Sequence, residues 1–140
     1  MQHAERVIRT WFSEAWNKGN IEGAYRDLVH ADAVFHTVAQ DGGPLVGLAG
    51  FRTLYDPVQA AFSDINFTVQ EVVESGDSAA VRWTCTGRHT GDQMGFPASG
   101  KAVAFSGLAL VHFRDGKIAE SWDEWDRLGF MTQIGALPAR

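Results

Sequence analysis

Val7, Ile8, Trp11, Phe12, Ala15 and Trp16 recur at helical spacing between charged residues, which predicts an amphipathic first helix ending near Gly19. Asn20 is placed to cap a second, shorter helix with the apolar stripe Ile21, Ala24, Tyr25, Leu28 and Val29. A short strand is expected over 33–38 and a loop over 40–44, where Asp, two Gly and Pro follow one another. A third helix is expected from about 48 to 62 on Phe51, Leu54, Tyr55, Val58 and Phe62, kinked at Pro57.

After Ser63 the pattern changes. The stretches 65–74, 79–89, 101–113 and 118–125 are β-branched or aromatic and are separated by Gly or Asp-Gly breaks, so they read as four long strands. Ser75-Gly76-Asp77 and Arg114-Asp115-Gly116-Lys117 are short enough for hairpins, which predicts a mostly antiparallel, meandering sheet. Helices first and sheet second predict an α+β fold: N-terminal helices packed on a strongly curved sheet forming a cone with an internal pocket, all within one domain spanning 1–140.

Composition narrows the class. With 45% hydrophobic and 21% charged residues in 140, the chain reads as one packed domain. A net charge of −5 without a basic run removes the electrostatic basis for nucleic-acid or anionic-membrane binding. The first twelve residues carry Glu5, Arg6 and Arg9 and lack the apolar core of a signal peptide, and no stretch approaches a membrane span. The single cysteine, Cys85, lies in a strand-like run and suits a buried thiol in a reducing compartment, so a cytoplasmic location is expected.

Five Trp, nine Phe and two Tyr supply more apolar volume than a small core needs, enough to line a pocket where a curved sheet bends away from its helices. The wall candidates are Trp16, Tyr55, Phe62, Trp83, Met94, Phe105 and Trp125.

Three stretches carry a family resemblance: Trp16-Asn17-Lys18-Gly19-Asn20; Gly87-Arg88-His89-Thr90-Gly91 with Met94-Gly95-Phe96-Pro97 and Ser99-Gly100-Lys101; and Asp115-Gly116-Lys117-Ile118 through Glu120, Trp122, Asp123 and Asp126 to Gln133-Ile134-Gly135. Together they resemble the SnoaL-like polyketide cyclase family, within the cone-shaped fold shared with nuclear transport factor two, ketosteroid isomerase and limonene epoxide hydrolase. The resemblance implies that a carboxylate on the last long strand is the acid/base of the reaction, and Asp123 holds the matching position. On a strand Asp123 shares its face with Ser121 and Trp125, and burial there would raise its pKa toward neutrality. By residue type alone, a surface aspartate in an acidic run is the plainer reading.

The resemblance also implies a second polar group on the neighbouring strand, a histidine in the cyclases and an acid in the isomerases and hydrolases. Ala109 stands at that position here and can neither donate nor accept. His112 has the opposite strand parity and is expected to face outward. Two other histidines are expected to compensate, His36 at the pocket mouth and His89 in the glycine-bounded loop, each as a proton carrier or a donor to a carbonyl. A structural role for His89, tying its loop to backbone, competes with that reading. Histidines at 3, 30, 36, 89 and 112 show no metal-ligand spacing, and no phosphate-loop or Gly-x-Ser-x-Gly pattern occurs, so neither a metal nor a cofactor is implied.

The expected function is a cofactor-independent enzyme closing a ring by intramolecular aldol condensation of an apolar carbonyl substrate. A hydrolase, dehydratase or isomerase of the same fold, or a small-molecule-binding domain without catalysis, stands as the alternative. A homodimer through the outer sheet face is expected, because Arg82, Thr84 and Thr86 lie opposite Trp83 and Cys85 on a face that no helix covers.

Overall fold

The computed structural model describes residues 3–37 and 43–137. Helix α1 (His3–Trp11) buries Ala4, Val7, Ile8 and Trp11 and is braced outside by a Glu5–Arg9 ion pair at 2.8 Å, one turn apart in the favourable order. From Phe12 to Asn17 the coil widens into a π-helical segment, with the Lys18 N–H reaching back to the Ser13 carbonyl at 3.0 Å. Phe12, Ala15 and Trp16 are buried there, and Asn17 is brought against the sheet. Its side-chain amide donates to the Phe67 carbonyl at 2.9 Å and accepts from the Phe67 N–H at 2.7 Å, standing in for a neighbouring strand. Gly19, with φ +74°, then turns the chain into α2 (Ile21–Leu28).

Six strands follow: β1 (Val29–Thr37), β2 (Leu45–Val46), β3 (Phe62–Ser75), β4 (Ser78–His89), β5 (Ala102–Arg114) and β6 (Lys117–Trp125), with α3 (Gly47–Ala61) between β2 and β3. Val29, expected on the face of the second helix, instead opens β1 in an extended conformation. Val38 and the loop residues 40–42 lie outside the described residues. Phe62 begins β3 rather than ending α3, and Pro57 lies inside α3. The hairpin turn between β5 and β6 sets both Asp115 and Gly116 at positive φ, 53° and 78°, as the tightest strand connections require.

The sheet order is β2-β1-β6-β5-β4-β3. From β3 to β6 it is the expected antiparallel meander, whereas β1 joins β6 in parallel and makes the sheet mixed. Strand β5 alternates strictly: Val103, Phe105, Ala109 and Val111 are buried against the helices, while Leu108 and Leu110 on the other face are 59% and 43% exposed. A helix absent from the sequence reading, α4 (Arg127–Gln133), closes the chain. The Asp126 carboxylate caps it by accepting from the Gly129 N–H at 2.9 Å. Phe130, fully buried, packs among Phe62, His89, Phe105 and Trp125.

Candidate active site

The helices and the inner face of the sheet enclose a cavity of about 130 Å³ that is partly open to solvent. Trp16, Phe62, Trp83, Met94, Phe105 and Trp125 all line it. Tyr55 does not. On α3 the cavity-facing positions are Phe51, Leu54 and Val58, and Tyr55 is turned toward the first helices, where its ring packs on Trp16 and its hydroxyl donates to the Ala15 carbonyl at 2.6 Å. Tyr55 therefore supports the wall from behind.

Strand β6 sends Ser121, Asp123 and Trp125 into the cavity. Among the described residues that line the cavity, the polar groups besides Asp123 are the hydroxyls of Ser121 and Thr37 and the indole N–H groups of Trp11, Trp16, Trp83 and Trp125. Asp123 is half-buried, its carboxyl set in the cavity wall. Burial pushes its pKa up to about 7; the Trp83 indole partly opposes that rise and the charge of Glu124 adds to it. A carboxyl so placed exists in both protonation states near neutrality, which suits it to take and return a proton.

Neither expected histidine lines the cavity. Val29, Ala33 and Phe35 are the buried positions of β1, and alternation from Ala33 and Phe35 turns the next residue, His36, to the opposite face of the sheet. There its Nε2 lies 2.8 Å from a Glu120 carboxylate oxygen, and its ring stacks on Trp122 with centroids 4.9 Å apart. Thr37 reaches the cavity instead, in register with Asp123. The signal for Thr37 was in the chain, since it is two residues beyond Phe35.

His89 does point inward, but at the far end of β4, where Phe62 and Phe130 enclose it. Its Nδ1 accepts from the Ser99 N–H at 3.3 Å and lies 3.0 Å from the Ser99 hydroxyl, holding the 90–101 loop to the strand. Burial lowers its pKa, so the ring is neutral near pH 7. His112 shares the outer face with Trp122, against which it packs edge-on. Ala109 lies directly across the ladder from Asp123 and offers the cavity only a methyl group.

The SnoaL-like polyketide cyclase family matches residues 6–134, most of the chain. The chain belongs to this family. Membership places it among cyclase-type enzymes. It is 27% identical over 123 residues to the aklanonic acid methyl ester cyclase DnrD of Streptomyces peucetius, covering 87% of this chain and 84% of that protein. Among solved structures, wild-type IdmH from Streptomyces antibioticus superposes with a TM-score of 0.82 at 32% identity, covering 96% of this chain and 99% of that one. TsrD from Streptomyces laurentii gives 0.83 at 27% identity, with 96% of each chain covered.

In this SnoaL-like chain the cavity carboxyl, Asp123, stands on β6 and Ala109 faces it from β5. Cys85 is buried and its thiol is pushed up to about 12 by burial, which makes it a poor nucleophile. Among the described residues no three His, Cys, Asp or Glu side chains converge as metal ligands, and no helix is long and apolar enough to cross a membrane.

Proposed function

We propose that this chain catalyses ring closure of an apolar polyketide carbonyl compound bound in the cavity, with Asp123 as the acid/base. The observation that carries this reading is a carboxyl, pushed up to about 7, inside a largely apolar wall. The Asp123 carboxylate takes a proton from a carbon flanked by carbonyl groups. The resulting enolate carbon attacks a second carbonyl carbon of the same molecule, forming the new C–C bond. The alkoxide so produced takes the proton back from Asp123, so the product is an isomer of the substrate. The aromatic walls of the cavity fold a flexible chain and hold the reacting carbons together, converting chain entropy into effective concentration.

The family and the names of the relatives, aklanonic acid methyl ester cyclases, support a polyketide methyl ester as the substrate class. Aklanonic acid methyl ester is therefore the compound to try first, followed by chromatography with mass detection. Ring closure leaves the mass unchanged and alters retention. Gain of one water marks a hydrolase and loss of one water a dehydratase, and either result replaces the cyclisation reading. A bound compound recovered unchanged across all pH values indicates a binding domain. Ala109 opposite Asp123 favours, as the second reading, an isomerisation that needs only one carboxylate.

The same reading includes a homodimer through the outer sheet face, where Leu108 and Leu110 are exposed beside Trp122. A cytoplasmic location is supported by the free thiol of Cys85.

A further inference from the structure

The indole of Trp83 crosses its neighbouring strand. Trp83 on β4 is in register with Gly107 on β5, and a Cβ added at Gly107 would stand 2.5 Å from Trp83 Cε2 and closer still to Cζ2. The ring therefore occupies the space beside the Gly107 backbone that only glycine leaves free. Cε2 is the atom bonded to Nε1, so the N–H edge of the ring is carried over β5 toward β6. The next inward-facing residue of β5 is Ala109, whose partner across the ladder is Asp123. Two successive small residues on β5 thus open a lane between the indole and the carboxyl.

The N–H has no other use. Trp83 is buried, and its Nε1 has no hydrogen-bond partner among the described residues. An amide or indole N–H left unpaired in an apolar interior costs about 1–3 kcal/mol, so such a group calls for an explanation. Its counterpart is Asp123, which shares the cavity wall with it and whose charged form it favours. Of the wall aromatics near this end, Phe62 and Phe105 have no donor to offer, and Trp125, two residues along β6 from Asp123, is not among the groups that shift the Asp123 carboxyl.

We propose that Trp83 is a positioning residue: its indole N–H closes on one oxygen of the Asp123 carboxylate and leaves the other oxygen to take the substrate proton. This rests on the acid/base reading of Asp123, and it gives Ala109 a second meaning. Where the family resemblance implies a polar side chain on β5, this chain has small residues on β5 and a donor reaching over them from β4. A carboxylate held through one oxygen keeps a fixed plane, and a proton transfer loses rate steeply when that plane is free to turn.

The test is the replacement Trp83→Phe, which keeps an aromatic wall and removes the N–H. The Asp123 carboxyl, followed by its carbon-13 resonance and assigned with Asp123→Asn, is expected to titrate at a pH higher by about half a unit or more in Trp83→Phe, because the charged form has lost a donor. In turnover, kcat near neutrality is expected to fall about tenfold or more and its pH profile to move upward, with KM within about twofold. An unchanged Asp123 titration overturns the proposal, as does an equal loss in KM, which would make Trp83 a wall and nothing else.

If Trp83→Phe does not fold, the unmodified protein still decides. The Trp83 indole N–H cross-peak is expected to move downfield as Asp123 ionises, with the same midpoint, and to lose that pH dependence in Asp123→Asn. A cross-peak flat through the Asp123 titration overturns the proposal. These measurements need no substrate, so a wrong acid/base assignment would show separately, as turnover that survives Asp123→Asn.

Discussion

Ala109 faces Asp123 across the β5–β6 ladder, a methyl group opposite the one carboxyl in the cavity wall. Directly paired inward residues on antiparallel strands bring their Cβ atoms within about 5.5 Å, so whatever stands at 109 sets the immediate environment of the acid. An alanine leaves the carboxyl desolvated and without a charged partner, which is the condition that raises its pKa to about 7.

Asp123→Asn keeps the shape of the side chain and removes the proton transfer. Turnover of the cyclisation substrate is expected to fall by about 10²–10⁴-fold, with the folded structure intact by circular dichroism. Retention of near-normal rate would remove Asp123 from the chemistry.

The same replacement changes how stability depends on pH. Asp123 has a folded-state pKa of about 7 against the ordinary 3.8, so the folded protein binds its proton more tightly than the unfolded chain does. Its contribution to stability is therefore complete below the ordinary value and is lost as pH rises toward 7. Urea midpoints of the unmodified protein are expected to decline relative to those of Asp123→Asn across that interval, and parallel curves would contradict the burial of the carboxyl.

Ala109→Asp would place a second carboxyl across from the first. Two carboxyls at that separation cannot both ionise cheaply, so the pair is expected to titrate in two steps, the upper one above pH 7. Carbon-13 titration reads this directly, and a single unshifted step would mean that the two side chains do not share the cavity.

Gly107→Ala is expected to displace the Trp83 indole, since the new methyl would overlap a rigid ring rather than a flexible chain end. A loss of about 1–3 kcal/mol in stability should accompany a changed tryptophan emission. A variant as stable as the parent, with unaltered emission, would place the indole elsewhere.

His36 and Glu120 lie on the outer face, half-exposed and 2.8 Å apart. His36→Ala is expected to cost about 0–1 kcal/mol of stability and to leave kcat within about twofold, because the ring touches Trp122 and not the cavity. Leu110→Arg, on the same face, is expected to convert a dimer to monomer by light scattering at micromolar concentration. A protein already monomeric would remove the dimer from the reading.

What the sequence determined by itself was local and periodic. The stripe from Val7 to Trp16 sets the inner face of the first helical stretch, and the alternation along β5 separates Val103, Phe105, Ala109 and Val111 from Leu108 and Leu110. The same alternation put Asp123 on one face with Ser121 and Trp125, because neighbours on a strand must point to opposite sides whatever lies across from them. The family resemblance singled out Asp123 among the chain's acids.

What only the tertiary structure decided was which strands meet and what lies between them. His36 looked suited to a pocket mouth, but its environment comes from Glu120 and Trp122, brought beside it by the parallel pairing of β1 with β6 across 84 residues of sequence for Glu120. His89 is held by Ser99 and the rings of Phe62 and Phe130, the last from a helix that seven residues containing a glycine did not announce. Trp83 read simply as apolar wall, and its N–H acquired a direction only when Gly107 on the next strand left room for the ring to cross. Local alternation tells a side chain which face to take, but the partner it finds there is set by register between distant strands, and no residue carries that register alone.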